Sequence, residues 1–394
     1  MKIGIVCYEF PPIGGGAGVG LWNLARSISM MGHEVHVITS CYKGLPKREF
    51  RDGVSIWRID AARDDRFPGF LRSTDVATSP SSLAVFALVA TKPILDLVRK
   101  FRLEVVHCGF AFPSGPPGIF ASYLTRTPCI VSILGADIYD PARFRVYRKL
   151  VDPIVAWTVV NADAVTALSA DLSSRTTALC GREDISVIPF GIDTNRFAYG
   201  EWSRHRTKRV ITIGRLVKRK RIDILLRAWP NVKEQVPAAK LLIVGTGPER
   251  SSLQKLAGDL GLHGVIFKGF RVQDLKQPDL MSLYTMSSVF VCSSEHEGLY
   301  LAGLEAMSCG LPVVAPRIGG ITDWLLHGET GFLYDFGDHN ALARYVIELL
   351  RNESLCERLS VAARKRAREF DLSVVARRWE DLYRKVAAEG TARV

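Results

Sequence analysis

Several features are missing from this sequence of 394 residues, and each absence argues against a class of protein. The eight cysteines are scattered singly, with no Cys-x-x-Cys pair and no histidine at zinc-ligand spacing. Reduced thiols in a cytoplasmic protein are the simplest account of that distribution. The most apolar window, 83–90, ends at Lys92 and Pro93, far short of the about 20 residues that span a membrane. Glu9 and the prolines after it interrupt the apolar start, so no signal peptide is expected.

Two common phosphate-binding motifs are also missing. The glycine-rich stretch 11–20 fails the Gly-x-Gly-x-x-Gly pattern, because the registers that start at Gly14, Gly15 and Gly16 meet Val19, Ala17 and Leu21 where a glycine is needed. No Lys-Ser or Lys-Thr follows it, so a P-loop is excluded as well. The stretch still suits an approach of backbone N–H groups to a phosphate at a helix N-terminus. A tight strand-to-helix turn that merely needs glycines is the alternative.

What is present is an ordinary globular composition with a basic charge. Hydrophobic residues make up 47% of the chain and charged residues 23%, and this length predicts two or three domains. Lys and Arg number 52 against 40 Asp and Glu, a net charge of +12, so we expect an anionic partner: nucleic acid, an acidic membrane or a phosphorylated small molecule. Because the basic residues lie on predicted helices without interleaved aromatic residues, we do not favour nucleic acid.

Short β-branched segments alternate with helix-period stretches in two series. The first series runs from Ile3 to Ile188, and the second restarts at Arg209 after a polar, basic segment. Strands that alternate with helices predict the α/β class, here two doubly wound parallel-sheet domains in tandem that face each other across a cleft. We expect domains at 1–190 and 191–371. The remaining segment, 372–394, is predicted to contain an amphipathic helix.

Two cations follow the first strand of the second series. Arg215 and Lys220 lie five residues apart in Gly-Arg-Leu-Val-Lys-Arg-Lys-Arg, directly after the strand that ends near Ile213. Such a pair can hold a diphosphate and stabilise the charge that grows on it as a leaving group departs. The other basic residues of this run are expected to be solvated.

The most informative segment lies between 293 and 314. Glu297 is predicted in a loop after a strand, a helix is predicted to start near Tyr300, and Glu305 lies about one turn along it. Carboxylates accept hydrogen bonds from sugar hydroxyls, whereas a helix N-terminus favours a diphosphate. Together they point to a nucleotide sugar, although a buried structural role for Glu305 is the alternative.

These motifs together resemble those of the retaining glycosyltransferases of family 4. Glu297 and Glu305 match the Glu-x7-Glu motif, and 214–220 is similar to the Gly-Arg-Leu-x-x-x-Lys loop. Further similar stretches are 189–193, the Gly-x-Gly-Pro turn at 245–248, and 310–314, 319–320 and 328–331; the matches at 15–16, 32–35 and 135–137 are looser. The resemblance extends from residue 1 to about 390 and is strongest between 187 and 335.

The resemblance implies a GT-B fold of two Rossmann-like domains, in which the second domain holds the donor, the first the acceptor, and the last helix packs back onto the first. It implies catalytic roles for Glu297, Arg215 and Lys220. It also implies donor contacts at Gly15, Gly16, Val272, Gly298, Tyr300, Leu301 and Glu305, with Asp137 on the acceptor side.

The reaction that the resemblance implies is the transfer of a hexose-type sugar, with retention of configuration, from a nucleotide-diphosphate sugar to a hydroxyl group. A UDP-sugar is favoured and a GDP-sugar is next, and neither a cofactor nor a metal ion is expected. The acceptor is a glycan, a lipid-linked sugar or a small molecule. Arg143, Arg145, Arg148 and Lys149 flank apolar residues in a predicted helix, which indicates peripheral contact with an anionic membrane or an ordinary solvated face.

Three departures from the family pattern keep other interpretations open. Leu134 stands where the family often has His or Arg, Arg221 where Gly is common, and Tyr300 where a small residue is frequent. The last two change the shape of the donor pocket. Leu134 motivates an alternative function, a nucleotide-sugar-binding module without catalysis; a nucleic-acid-binding protein is the remaining alternative.

Overall fold

A computed structural model describes residues 1–42, 44–60, 80–139, 145–198, 207–269 and 277–391 of the chain. The backbone divides into two compact units, one made of Met1–Gly191 and Leu372–Val394 and the other of Ile192–Asp371. Within the described ranges, no helix is both long enough and apolar enough to cross a bilayer.

The first unit is built on an eight-stranded sheet. Its strands are β1 (Lys2–Val6), β2 (Glu34–Ser40), β3 (Arg48–Arg51), β4 (Val54–Ile59), β5 (Val105–Gly109), β6 (Cys129–Ile133), β7 (Ala164–Ala167) and β8 (Ile185–Val187). They lie in the order β3-β4-β2-β1-β5-β6-β7-β8, and all neighbours are parallel except the β3–β4 edge pair. Strands β5 and β6 are buried at every position, as expected for a parallel sheet that is covered on both faces.

Helices connect the strands of this unit: α1 (Gly16–Met30), α2 (Pro80–Val89), α3 (Thr91–Phe101), α4 (Gly115–Thr125), α5 (Arg145–Asn161) and α6 (Ala170–Cys180). Their buried residues recur at helical spacing, as in α1, where Leu21, Leu24 and Ile28 face inward. The Ser169 side chain accepts a hydrogen bond from the Leu172 N–H and so caps the start of α6.

The second unit has a six-stranded, entirely parallel sheet. Its strands are β9 (Arg209–Ile213), β10 (Lys240–Val244), β11 (Val265–Lys268), β12 (Val289–Val291), β13 (Val313–Pro316) and β14 (Gly331–Tyr334), in the order β11-β10-β9-β12-β13-β14. Its helices are α7 (Ile222–Gln235), α8 (Arg250–Asp259), α9 (Gln277–Thr285), α10 (Leu301–Ser308), α11 (His339–Arg351) and α12 (Glu353–Ala367).

The last helix, α13 (Leu372–Thr391), packs within the first unit against α1 and β5. The buried Tyr383 hydroxyl is 2.8 Å from Nδ1 of His107, and Nε2 of His107 is 2.7 Å from the Ser132 hydroxyl. The indole of Trp379 stacks on the same imidazole, with ring centroids 4.7 Å apart. Burial lowers the pKa of His107 to about 3, so this anchor is a neutral imidazole at physiological pH.

The strand order places ligand-binding loops in both units. β1 lies between β2 and β5, and β9 lies between β10 and β12, so the connections run in opposite directions from β1 and from β9. Open α/β sheets bind ligands at such switch points, outside the carboxyl ends of the strands. The segments after β1, β9 and β12 are therefore the candidates for function.

The predicted fold class is confirmed: both units are parallel-sheet α/β structures, and the final helix packs on the first. The antiparallel edge strand β3 was not predicted. Its sequence, Arg-Glu-Phe-Arg, alternates exposed with half-buried residues and carries three charges, so it lacks the apolar pattern by which the buried strands are identified.

Candidate active site

The loops after β9 and β12 meet because these two strands are neighbours in the second sheet. Lys220 ends a short 3-10 turn (Lys218–Lys220) between β9 and α7, and Glu297 lies between β12 and α10. The two residues are 77 positions apart in the chain, yet Nζ of Lys220 donates a hydrogen bond to Oε1 of Glu297 at 2.5 Å. Both side chains are buried, so this is an ion pair that is shielded from water.

The electrostatics of the pair keep the carboxyl group ionised. Burial alone raises the pKa of Glu297, but the charges of Lys220 and Arg219 and the hydrogen bond from Lys220 outweigh it, and the pKa lies below its ordinary value. Burial lowers the pKa of Lys220, and the nearby carboxylate opposes that effect. A guanidinium nitrogen of Arg219 lies 3.7 Å from the second oxygen of Glu297. Two cations therefore face one carboxylate, which leaves positive charge for an anionic ligand.

Backbone contacts hold the two loops together. The Ser293 hydroxyl donates to the carbonyl oxygen of Lys220 at 2.9 Å, and the N–H of Glu295 donates to the carbonyl of Arg219 at 2.8 Å. On the other side, the N–H of Gly320 donates to the carbonyl of Glu297 at 2.9 Å. The ion pair is thus fixed by the main chain as well as by its own charges.

Tyr300 packs directly against this pair. Its ring centroid is 4.3 Å from Nζ of Lys220, a cation–π distance, and its hydroxyl donates to the carbonyl of Ile213 at 3.0 Å. The residue caps α10 with a φ of +71°, a left-handed conformation that is uncommon outside glycine. The large side chain that departs from the family pattern therefore fills the space beside Lys220.

Arg215 lies at the carboxyl end of β9, half-buried, and lines the same small cavity as Lys220, Tyr300 and Ser293. The Gly-Thr-Gly turn at 245–247 packs against its loop. A Cβ atom on Gly245 would lie 1.9 Å from the carbonyl oxygen of Gly214, and the φ of Gly245 is +151°. This approach explains why the turn needs glycine and how it positions the loop of Arg215.

Glu305 lies one turn into α10, where it accepts a hydrogen bond from the Tyr284 hydroxyl at 2.8 Å. Loss of hydration raises the pKa of Glu305 to about 7, although Tyr284 and the charge of Arg196 lower it. Near neutral pH the group therefore exists both as an acid and as a carboxylate. Glu305 thus contacts Tyr284 and is influenced by the charge of Arg196, whereas Glu297 is paired with Lys220 and faces Arg219.

The other residues predicted to contact the donor lie at the start of α10 or outside the described residues. Gly298 is half-buried in the loop between Glu297 and α10, and Leu301 is the first residue of α10, where backbone N–H groups lack intrahelical partners. Val272 lies outside the described residues.

In the first unit, the glycine-rich loop after β1 leads into α1. Cβ atoms on Gly18 and Gly20 would meet the carbonyl oxygen of Glu9 at 3.1 Å and the ring of Phe190 at 2.1 Å, whereas one on Gly16 would meet nothing within 4 Å. Gly15 is the N-cap of α1. Packing therefore accounts for the later glycines, and open space remains at Gly16.

Asp137 is buried and is held by main-chain donors. Its carboxyl accepts from the N–H of Leu134 at 2.8 Å and lies 3.5 Å from the N–H of Phe112. Burial raises the pKa of Asp137 to about 6, and the backbone hydrogen bonds oppose that shift. The carboxyl thus fixes the loops after β5 and β6, and Leu134 beside it is buried.

Two residues near these sites were not predicted. Arg219 was expected to be solvated but faces Glu297, because the 3-10 turn directs it back toward β12. The carboxylate of Glu9 accepts from the N–H of Gly18 at 3.3 Å, in the first turn of α1. A glutamate directly before a glycine-rich turn was the available signal for the second contact.

The remaining predictions concern the basic residues near the start of α5 and the absence of a metal ion. Arg143 lies outside the described residues; Arg145, Arg148 and Lys149 lie in the first turns of α5, and Lys149 is exposed. Among the residues that the structure describes, no group of three His, Cys, Asp or Glu side chains is arranged to hold a metal ion.

Two family models match this chain, one for each unit. The "Glycosyl transferase 4-like domain" matches residues 15–191, and "Glycosyl transferases group 1" matches residues 199–366. With two parallel-sheet α/β units and a final helix that packs on the first, the fold is that of a GT-B glycosyltransferase. Together the two models cover most of the chain, and with a relative that is 35% identical over 91% of this chain, the protein belongs to the glycosyltransferases.

Curated relatives cover nearly the whole chain. A GDP-mannose-dependent alpha-(1-6)-phosphatidylinositol monomannoside mannosyltransferase of Mycolicibacterium smegmatis is 35% identical over 91% of this chain and 92% of its own length. The N-acetyl-alpha-D-glucosaminyl L-malate synthase of Bacillus anthracis is 28% identical over 97% of this chain and 96% of its own.

Solved structures agree on the fold. Sucrose-phosphate synthase from Thermosynechococcus elongatus superposes with a TM-score of 0.81 at 21% identity, over 99% of this chain and 100% of that one. Anabaena HepE in complex with UDP-glucose superposes with a TM-score of 0.76 at 20% identity, over 100% of both chains.

Proposed function

We propose that this protein is a retaining glycosyltransferase that uses a nucleotide-diphosphate sugar as donor and needs no metal ion. The observation that carries the proposal is the buried Lys220–Glu297 pair beside the switch point of the second sheet. A sugar diphosphate presents negative charge next to hydroxyl groups, and this pair offers a cation for the first and a carboxylate for the second. A purely structural ion pair does not require a position at the carboxyl ends of β9 and β12.

Each side chain has a role in this proposal. Arg215 and Lys220 hold the diphosphate, Glu297 accepts hydrogen bonds from the sugar hydroxyls, and Glu305 accepts them from the ribose. The N–H groups at Gly298, Tyr300 and Leu301 approach the diphosphate at the start of α10, and the backbone at Val272 contacts the base. Gly15 and Gly16 border the donor phosphate or the acceptor.

The chemistry is a substitution at the anomeric carbon. The bond from that carbon to the diphosphate oxygen breaks, the bond to the acceptor oxygen forms on the same face, and the acceptor proton passes to the departing diphosphate. Arg215 and Lys220 stabilise the charge that accumulates on the leaving group. Because the sequence singles out no candidate nucleophile, we favour a front-face reaction over a double displacement.

A UDP-sugar is the first expectation and a GDP-sugar the second, and the relative that is 35% identical carries "GDP-mannose-dependent" in its name. Both donors belong in a first screen.

The acceptor contributes a hydroxyl group and is a glycan, a lipid-linked sugar or a small molecule. The two relatives named above illustrate the range, since one name contains phosphatidylinositol monomannoside and the other L-malate. Asp137 acts on the acceptor side through the loops that it fixes. Cytoplasmic location with peripheral contact to an anionic membrane completes this proposal.

The test is turnover with a panel of nucleotide sugars, followed by NMR assignment of the anomeric configuration in donor and product. We expect retention, activity that survives metal chelation, and a fall in kcat of about 10²-fold in Arg215→Ala. Lys218→Ala, which changes an exposed cation in the same loop between β9 and α7, serves as the matched control. Inversion of configuration, or full turnover by Arg215→Ala, would contradict the mechanism.

A nucleotide-sugar-binding module without catalysis is the second candidate. It is favoured by Leu134, a buried apolar side chain in the loop after β6, where a histidine or arginine could act near the reacting sugar. Donor binding without turnover on any acceptor of the panel would support this alternative.

A further inference from the structure

The outer surface of the first unit's helical layer is apolar where such surfaces are normally polar. Helices α2, α4 and α5 are neighbours, and each exposes large apolar side chains. We define the apolar face by six of them: Leu88 of α2, Phe120, Tyr123 and Leu124 of α4, and Leu150 and Trp157 of α5. Leu88 is 80% exposed and Tyr123 is 84% exposed, so these residues are not part of the core.

Helical spacing shows that the exposure is systematic. On α5, exposed apolar residues recur at positions 150, 154, 157 and 160, while Val151, Val155 and Val159 are buried. The helix is therefore apolar on both sides, a pattern that soluble surface helices avoid. The rings of Phe120 and Trp157 lie 5.5 Å apart, so the exposed stripes of α4 and α5 are continuous.

A helix of the second unit provides the contrast. The exposed positions of α8 include Ser251, Gln254, Lys255 and Asp259, the ordinary polar exterior of a doubly wound domain. Helices α2 and α4 contain no charged residue at all. Contiguous exposed apolar surface of this kind marks a site of contact with a protein or a membrane.

The charges around the apolar face favour one occupant. Exposed cations adjoin each helix: Arg126 follows α4 and Lys149 precedes Leu150 on α5, whereas Lys92, which follows α2, is paired with Asp96 at 2.7 Å. No Asp or Glu occurs between 105 and 136, and Asp152 of α5 is half-buried. Two copies paired through this face would bring their cations together, whereas an anionic lipid surface would complement them.

We infer that the apolar face formed by α2, α4 and α5 docks on an anionic lipid bilayer. Aromatic and aliphatic side chains insert at the level of the headgroups, and the flanking Lys and Arg residues contact lipid phosphates. This inference deepens the proposed function, because it names the surface on which a lipid-linked acceptor would be met. It does not depend on the donor chemistry.

Vesicle flotation of the full chain tests the inference. We expect binding to vesicles of phosphatidylcholine mixed with phosphatidylglycerol and much weaker binding to phosphatidylcholine alone. The triple variant Leu88→Gln, Tyr123→Gln, Leu150→Gln should lose roughly tenfold or more of this affinity. The matched control is Met30→Gln, Phe50→Gln, Val361→Gln, three exposed apolar residues outside the apolar face, and it should float like the wild type.

A second readout locates the contact. Tryptophan fluorescence should be quenched by brominated lipid in the wild type, and Trp157→Phe, which keeps the apolar face, should lose much of that quenching. Equal flotation of the wild type and the triple variant would overturn the inference. A wild-type dimer in light scattering that the triple variant converts to monomer, without vesicle binding, would overturn it in favour of self-association.

The donor-induced thermal shift should be the same in the wild type and the triple variant. If that shift is missing in both while flotation depends on the apolar face, the proposed function fails and the docking surface stands. If the thermal shift is present and flotation is absent, the docking surface fails and the proposed function stands.

Discussion

The two units use the same topological position in different ways. Beside β9 in the second unit, the switch point is filled by charged side chains from two loops, with Lys220 and Glu297 in a buried pair. Beside β1 in the first unit, the equivalent segment leaves open space around Gly16. The Glu9 carboxylate accepts a hydrogen bond there from the N–H of Gly18, in the first turn of α1. One switch point is thus suited to recognise a ligand by charge, and the other by close approach of the main chain.

The first way to break this comparison is to remove the carboxylate of the second unit. Glu297→Gln keeps the shape and a hydrogen-bond acceptor but removes the charge that faces Lys220, so kcat should fall by about 10²–10³-fold with a smaller change in the donor KM. Steady-state kinetics at several donor concentrations measure both. Glu295 is exposed two residues earlier, and Glu295→Gln should have the kcat of the wild type. An equal fall in kcat in that control would show that the effect is not specific to Glu297.

Removing the cation should show in stability. Lys220→Met leaves the buried carboxylate of Glu297 with Arg219 alone, and the free energy of unfolding at neutral pH should fall by roughly 3 kcal/mol. The charge of Lys220 is the largest of the effects that lower the pKa of Glu297, so this pKa should be higher in the variant than in the wild type. The charge is then neutralised as the pH falls through that pKa.

Urea denaturation at about pH 7.5 and about pH 5 should therefore give a smaller difference between wild type and variant at the lower pH. In the wild type, the lowered pKa of Glu297 contributes stability above the unfolded pKa of about 4.3, which is lost as the pH falls. Lys218→Met is the control for the loss of one positive charge. A difference that grows on acidification would contradict the assignment of charges.

Glycine substitutions sharpen the contrast in the first unit. Gly20→Ala places a methyl group 2.1 Å from a ring carbon of Phe190, so it should destabilise the protein by about 1–3 kcal/mol and leave KM values unchanged. Gly16→Ala meets open space, so it should fold normally and raise the KM of whichever substrate approaches the loop. Denaturation midpoints and KM values of both variants test these opposite expectations. If Gly16→Ala and Gly20→Ala both lose stability and both keep the wild-type KM values, the loop is only a tight turn.

The smallest expected effect concerns the pH dependence of donor binding. Burial raises the pKa of Glu305 to about 7, and the carboxylate accepts hydrogen bonds from the two ribose hydroxyls more strongly than the protonated acid does. Donor affinity should therefore decrease as the pH falls through about 7, by roughly tenfold at most.

Tyr284→Phe and Glu305→Gln are the matched variants. The first removes a hydrogen bond that lowers the pKa of Glu305, so the midpoint should move upward. The second should abolish the pH dependence. Calorimetric titration gives the affinity at each pH, and a wild-type affinity that does not change near pH 7 would exclude Glu305 as the ribose ligand.

Much of the fold was predictable because its signals are local. Buried strands of parallel sheets are short β-branched runs, and the helices between them show their period in the sequence. Strand β3 was not predicted because Arg48–Arg51 is a charged edge strand that alternates exposed with half-buried residues. The meeting of Lys220 and Glu297 depends on β9 lying beside β12, and strand order is not encoded in any local pattern.

The same reason explains which site features were missed. Arg219 faces Glu297 only because a 3-10 turn rotates the basic run, and Glu9 reaches Gly18 across a loop. The apolar residues of α2, α4 and α5 have helical spacing in the sequence, and that spacing does not distinguish a buried face from an exposed one. Only the packed structure separates the residues that face the sheet from those of the apolar face.

The most direct test of the central claim is a thermal-shift screen of UDP-, GDP- and ADP-sugars on the wild type and Glu297→Gln, with and without Mg²⁺. A donor at ~100 times its Kd should contribute ~2.7 kcal/mol of stability. We predict a clear shift with one nucleotide sugar that does not need metal and is reduced in the variant. No shift with any of them, or an equal shift in the variant, would contradict the assignment of the Lys220–Glu297 pair to the donor.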